Sequence, residues 1–318
     1  MESPAFLAIV GPTASGKTSL SLEVVKRIPG EIISMDSRQV YRGMDIGTGK
    51  VGLRERALAP HHGLDLRDPD ERYSAGQFAR DAREWIRDIR GRGRVPILVG
   101  GTGFFLKSLT DPMFQEPELD GDRLEGIRAF LNRLSMDRLA AFVSVLDPQR
   151  EADSEGGRQR ATRTVEIALL TGRPLSWWHR ESQPAHEPLQ GLIALVELSR
   201  ELLYDRINRR VEEMMEEGLV DEVRRLLEAG YGPEDPGMTG SGYREIVTYL
   251  GGELTLEEAV AEIQGSHRKY ARRQSTWYRH QLPPEVLLLD GSEGPVGMAE
   301  RVVAQWKAMT GNGMREAQ

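Results

Sequence analysis

Residues 5–10 form an unbroken apolar run, Ala-Phe-Leu-Ala-Ile-Val, that stops at Gly11. Such a run is the pattern of a strand buried on both faces of a parallel sheet. Leu20, Val24 and Ile28 then recur at helical spacing until Pro29-Gly30 ends the helix. A second apolar run, residues 31–35, leads into Asp36. Ser74 is a good N-cap for a helix reaching about Arg90, with Phe78, Ala82, Trp85 and Ile89 on its inward side. Residues 95–99 predict a third strand, closed by Gly100-Gly101. Strands alternating with helices in this way predict an α/β fold: a parallel sheet with right-handed crossovers.

The pattern changes at about residue 117. Leu124, Ile127, Leu131 and Leu134 mark one helix, Leu139, Phe142 and Leu146 another, and residues 160–170 a third. A strand returns at 191–198, and Ser199 caps a helix running to about Glu217. Gly218 and Gly230 bracket a further helix, and residues 231–240 read as a turn-rich loop. Thr255 and Glu258 form a capping box at the start of a long helix that ends before Pro283-Pro284. Residues 286–289 suggest a last strand, and the tail after Thr310 reads as loose. The expected organisation is an α/β core made of residues 1–116 and 187–318, interrupted by a helical insertion at 117–186.

Composition narrows the picture. The chain has 318 residues, 39% hydrophobic and 29% charged, as expected of a globular protein. No apolar run approaches the ~20 residues of a membrane span. Residues 1–10 lack a basic leader region, so no signal peptide is expected. Cysteine is absent, which removes disulfides, zinc–thiolate sites and thiol catalysis and fits a reducing cytoplasm. Nothing in the sequence demands an oligomer, and a monomer is the default expectation. The net charge of −7 does not advertise a nucleic-acid binder, but residues 266–280 hold Arg268, Lys269, Arg272, Arg273 and Arg279 and no acid. A local phosphate-binding face is therefore compatible with an acidic whole.

Gly11-Pro12-Thr13-Ala14-Ser15-Gly16-Lys17-Thr18 matches G-x-x-x-x-G-K-[ST] between a predicted strand and a predicted helix. In such a P-loop, backbone N–H groups and the helix N-terminus cradle phosphate oxygens. The lysine adds charge, and the hydroxyl at Thr18 can ligate Mg²⁺. Nucleotide hydrolases pair this loop with an acid at the end of another strand. Here residues 95–99 end in Gly100-Gly101 instead. The acid at a comparable strand end is Asp36, which could associate with a metal, act as a general base, or cap the next turn.

From these residues the chain is similar to one family. GPTASGKT at 11–18, DSRQVY at 36–41, RGMDIGT at 42–48, YSAxxF at 73–78 and VGGTG at 99–103 resemble bacterial tRNA dimethylallyltransferases. Arg160 and Arg163 through Glu166, GYRE at 242–245 and YARRQSTW at 270–277 continue the likeness, which spans roughly residues 5–280. The resemblance implies transfer of the dimethylallyl group of dimethylallyl diphosphate to the exocyclic N6 amine of the adenosine just 3′ of the anticodon in tRNA. Thr13, Lys17, Thr18 and Mg²⁺ would then neutralise the departing diphosphate, and Asp36 would take the amine proton. Arg210 matches a family arginine near the diphosphate; the bland alternative is a surface arginine paired with Glu213. Ser37, Arg38, Gln39 and Thr102, with Asp36, would read or position an adenosine extruded from its stack. Arg123 and Gln159, Arg160, Ala161, Thr162 and Arg163 of the insertion would touch the anticodon stem-loop, and Arg268, Arg272 and Arg273 its phosphates.

Other features read as packing: the Ile263, Tyr270, Trp277 stripe as core rather than a base-stacking surface, and Trp177-Trp178 likewise. Two departures from the family pattern stand out: Gly156-Gly157, where Asn-Asp is common, and Ser241, where an apolar residue is usual. Rival functions are an adenine-nucleotide isopentenyltransferase on a similar core, a P-loop kinase or ATPase, and a non-catalytic RNA-binding module.

Overall fold

Alternate residues of the first strand serve two different cores. In β1 (Phe6–Val10), Phe6, Ala8 and Val10 pack into one apolar cluster while Leu7 and Ile9 pack into another. Successive strand side chains point to opposite faces, so a run that is apolar throughout implies cover on both sides. In the computed structural model, which describes residues 4–311 other than 112, 113, 115, 116, 118, 153–156 and 185, that cover is present.

Beside β1 the sheet contains β2 (Gly30–Ser34), β3 (His61–His62), β4 (Val95–Gly100), β5 (Gly191–Glu197) and β6 (Leu287–Asp290). Among the described residues these make a six-stranded sheet in the order β3-β2-β4-β1-β5-β6, with every pairing parallel. One face is covered by α3 (Ala75–Gly91) and α4 (Gly103–Thr110), the other by α1 (Lys17–Val25) and a C-terminal helix at Pro295–Gly311. The four-residue helix α2 (Leu53–Arg56) lies in the connection between β2 and β3. Ser74 accepts from the Gln77 N–H and Gln77 bonds back to the Ser74 N–H, the reciprocal cap that starts α3. Its buried face is Phe78, Ala79, Ala82, Ile86 and Ile89; Trp85 is half-buried and lies near the His62 ring.

The chain divides into two compact units, Met1–Thr110 with Leu189–Gln318, and Asp111–Pro188. The second unit holds α5 (Gly121–Asn132), α6 (Met136–Leu146), α7 (Arg158–Thr171) and α8 (Leu175–Glu181) around Leu131, Leu139, Val143, Ala161 and Val165. Buried Glu166 bonds Arg128 at 2.7 Å, with Arg163 at 3.5 Å. Trp177 and Trp178 meet edge to face, and the Trp178 indole donates to Thr171 Oγ1, a packing arrangement. Gly157 precedes α7; Gly156 lies outside the described residues.

The first unit continues with α9 (Arg200–Glu216), α10 (Leu219–Glu228), α11 (Tyr243–Leu250), α12 (Leu256–Gln281) and α13 (Pro295–Gly311). Helix α12 opens on the Thr255–Glu258 capping box. Helix α13, to which the sequence reading assigned nothing, buries Met298, Ala299, Val302, Val303 and Trp306 against the cluster that includes Leu20 and Val24 of α1. Gly291, Gly294 and Gly297 dilute helix propensity at its start and hide the signal. Thr310 lies in this helix, and residues 312–318 are outside the described ones.

Candidate active site

The phosphate loop is bent by local geometry. Ala14 and Gly16 take left-handed backbone angles of 61° and 94°, the alternation that turns successive N–H groups toward one concavity. Helix α1 begins at Lys17 with no side-chain cap, so its first N–H groups are available to an anion. The Lys17 ammonium donates to Pro12 O at 2.6 Å. Its pKa falls to about 7, first because burial penalises the charge and second because Arg210 is near; Asp36 works against both.

Thr13, Lys17 and Thr18 line one cleft together with Asp36, Gln39, Thr48, Gly49, His61, Gly100, Gly101, Arg210, Tyr270 and Gln274. The cleft encloses about 680 Å³, part of it open to solvent, and lies at the carboxyl ends of β1, β2 and β4. Strand β4 closes against the turn after β2, for a Cβ at Gly100 would fall 2.0 Å from Met35 O. Ile32, Val51, Leu64 and Val99 give part of the cleft an apolar lining.

Asp36 does two things. Its Oδ1 accepts from the Arg38 N–H at 2.8 Å, so the turn cap exists. Its Oδ2 has no hydrogen-bond partner among the described residues and remains available in the cleft. Arg210 is half-buried and forms no ion pair with Glu213; among the described residues its guanidinium has no hydrogen bond or ion pair at all. Burial lowers its pKa while Asp36 raises it. A desolvated arginine beside a lysine leaves positive charge seeking an anion. The Thr18 hydroxyl likewise has no hydrogen-bond partner among the described residues. No cluster of three or more His, Cys, Asp or Glu suited to a metal occurs among them.

The expected adenosine-reading residues are largely occupied by protein. Gln39 Oε1 accepts from Ser34 Oγ at 2.8 Å, and its Nε2 donates to Thr48 O and Gly49 O at 3.4 and 3.3 Å. The Ser37 N–H donates to Thr102 Oγ1 at 3.1 Å. Arg38 donates to Pro236 O at 2.6 Å, tying the turn to the 231–242 loop. Arg272 and Arg273 are exposed on α12, with Arg273 over the Tyr270 ring, whereas Arg268 donates to Asn208. In the other unit Arg123, Gln159 and Arg160 are exposed, Ala161 is buried in that unit's core, and Thr162 Oγ1 is buried without a partner.

Several site residues escaped the sequence reading. Gln274 accepts from the Thr13 N–H and donates to Gly101 O, both at 2.8 Å, joining the phosphate loop to the β4 turn. Tyr270 departs from the stripe assigned to the core: Ile263 is buried and Trp277 packs on the sheet cluster, but Tyr270 lines the cleft. Burial, then Asp36, pushes its hydroxyl up to about 12. His61 Nδ1 pairs with Ala59 O, while its Nε2 is buried in the cleft wall without a partner and burial lowers its pKa.

The family model described as IPP transferase matches residues 39–281. The chain belongs to the IPP transferase family. A tRNA dimethylallyltransferase of Geobacter metallireducens is 42% identical over 281 residues, covering 87% of this chain and 90% of the relative. A solved tRNA isopentenylpyrophosphate transferase from Bacillus halodurans is 35% identical, with a TM-score of 0.68 over 97% of this chain and 99% of its own. A eukaryotic dimethylallyltransferase acting on tRNA is 28% identical, with a TM-score of 0.76 over 96% of this chain and 76% of its own. The matched segment of this family member starts at Gln39, so the phosphate loop and Asp36 precede it.

Proposed function

We propose that this chain transfers the dimethylallyl group of dimethylallyl diphosphate to the N6 amine of the adenosine just 3′ of the anticodon in tRNA. The observation that carries the reading is a single cleft holding an available carboxylate, Asp36 Oδ2, near two basic side chains, Lys17 and Arg210, neither of which forms an ion pair among the described residues. The donor's diphosphate lies on the α1 N-terminus with Gly11 through Thr18, and Lys17, Thr13 and Arg210 stabilise charge as the allylic C–O bond breaks. The amine nitrogen forms the new N–C bond, its proton passes to Asp36, and diphosphate leaves. Ile32, Val51, Leu64 and Val99 suit a small branched hydrocarbon better than a nucleotide base.

Mg²⁺ fits as a cofactor because a site of this type needs one hydroxyl, here Thr18, with substrate oxygens and water completing the shell. When bound, the ion would supply charge neutralisation at the diphosphate. Ser37, Gln39 and Thr102 shape the adenosine side. Arg123, the 159–163 segment, Arg272 and Arg273 carry the tRNA contacts, with Ala161 serving as packing beneath them. A tRNA acceptor fits a cytoplasmic enzyme, and every residue named for the cleft comes from one chain, which fits a monomer. A kinase is disfavoured by Gly100 and Gly101 standing where a metal-holding acid would end β4. No described helix is long and apolar enough to cross a membrane.

The test is incubation with unmodified tRNA, dimethylallyl diphosphate and Mg²⁺, followed by nucleoside mass analysis. Dimethylallyl-adenosine at the position 3′ of the anticodon is the expected product; unchanged adenosine there would overturn the reading.

A further inference from the structure

One wall of the cleft is a loop whose first half is held from behind. Residues 44–50 carry Thr48 and Gly49 into the cleft lining, yet the N–H groups of Asp45, Ile46 and Gly47 point away, toward the helices behind the loop. There the Glu222 carboxylate of α10, 2% exposed, receives three of them in succession. Oε2 accepts from the Asp45 and Ile46 N–H groups at 2.9 and 2.8 Å, and Oε1 from the Gly47 N–H at 3.1 Å. A fourth donor, the buried Tyr243 hydroxyl, reaches Oε1 at 2.6 Å. Gly47 admits that ring, because a Cβ there would lie 2.6 Å from it. Burying a carboxylate is costly unless its lone pairs are filled, and here four donors fill them.

The other side of the loop touches the chemistry. The Arg210 guanidinium lies against Gly49 so closely that a Cβ would sit 1.7 Å from Nη2, and the Thr48 and Gly49 carbonyls fix the Gln39 amide. Among the described residues the Arg210 guanidinium has no hydrogen bond to orient it, so the Gly49 surface, with the pull of Asp36, limits where its charge can sit.

We propose that Glu222, with Tyr243, is a positioning residue for the donor diphosphate: it sets the 44–50 loop, and the loop sets Arg210. The inference rests on the reading of Arg210 as a diphosphate ligand. Two features argue for more than packing. The carboxylate spends three of its four bonds on one loop, at residues 45–47, and Gly49 of that same loop is in contact with the cleft cation.

Inorganic pyrophosphate is the probe, its affinity measured by titration calorimetry together with the thermal midpoint of each variant. Glu222→Gln keeps the volume but turns one acceptor atom into a donor facing N–H or O–H groups. Arg210→Ala should weaken pyrophosphate roughly 10- to 100-fold, the loss of a charge-assisted hydrogen bond. Glu222→Gln should weaken it by roughly tenfold, and the double variant should bind no worse than Arg210→Ala alone. Tyr243→Phe removes a single donor; it should shift affinity the same way by less, and it decides the matter if Glu222→Gln does not fold. A lowered midpoint with unchanged pyrophosphate affinity, or full additivity with Arg210→Ala, would overturn the proposal. Unchanged affinity in Arg210→Ala itself would overturn it through its premise, and that outcome is separate from any result at Glu222.

Discussion

The phosphate loop and the 44–50 loop both line the cleft, but they are built in opposite ways. The first is made by its own residues: Ser15 N–H on Pro12 O, Lys17 on Pro12 O, and left-handed turns at Ala14 and Gly16. It borrows one side chain, Gln274. The second closes partly on itself, through the Gly49 and Lys50 N–H groups on Ile46 O and Asp45 O, but its 45–47 N–H groups are held from outside by Glu222, which Tyr243 steadies, and its Lys50 ammonium reaches out to Tyr41 O and Asp65. The difference is instructive because anion binding needs only local backbone, whereas setting a second cation against that anion requires distant helices. A local motif can thus be intact while the geometry across the cleft is lost.

Substitutions can separate the two. The largest effect is expected at the turn after β2, which belongs to neither loop. Asp36→Asn keeps the cap on Arg38 N–H through its remaining oxygen but cannot take a proton. Its single-turnover rate should fall by about 10²–10⁴-fold with donor and tRNA affinities little changed. A defect in donor binding that extra Mg²⁺ partly restores would instead mark Asp36 as a metal-organising group.

Lys17→Ala should slow transfer by roughly 10²–10³-fold and weaken the donor. Its thermal midpoint should fall only modestly, because the Ser15 N–H and the left-handed turns still hold the loop when the ammonium's bond to Pro12 O is lost. The Lys17 pKa of about 7 adds a sign that can be checked. Below pH 7 the free enzyme already carries the charge; above it the amine is neutral, and the diphosphate must draw a proton back. Pyrophosphate binding at pH 8 should therefore take up as much as about one proton, read from calorimetry in buffers of different ionisation enthalpy. The uptake should fade at pH 6 and vanish in Lys17→Ala.

Gln274→Ala breaks a long-range tie of the phosphate loop. It leaves Thr13 N–H and Gly101 O without their partner and should cost about 1–3 kcal/mol per stranded group in denaturant unfolding. An unchanged unfolding midpoint would mean that water replaces the amide without loss. The smallest effect is on the exposed arginines: Arg272→Ala with Arg273→Ala should reduce the log–log salt slope of tRNA binding by roughly one unit per lost phosphate contact, leaving donor affinity alone.

These contrasts also explain what the sequence disclosed. The strands β1, β2 and β4, the phosphate loop and Asp36 are short-range signals: apolar runs ending at a glycine or an acid, read without knowing what they touch. Gln274 and Tyr270 sit on a helix that the capping box announced, yet nothing at helical spacing says which face meets a loop over a hundred residues away in sequence. Glu222 reads as one acid among many on an amphipathic helix, although it is 2% exposed. Its meaning lies in three N–H groups at 45–47, a partnership that sequence separation conceals. Arg210 shows the opposite case: the resemblance singled it out, and in the structure it lines the cleft with no hydrogen bond or ion pair among the described residues.

What distinguishes this chain from an adenine-nucleotide transferase on a similar core is its acceptor, tRNA rather than a free nucleotide. The direct measurement is kcat/KM of the wild-type chain, with saturating dimethylallyl diphosphate, on an unmodified anticodon stem-loop and on adenosine monophosphate side by side. Turnover of the stem-loop with none detectable on the mononucleotide is the predicted result, since the remote contacts that bring the adenosine into the cleft are missing from the smaller acceptor. Equal or faster prenylation of adenosine monophosphate would contradict it.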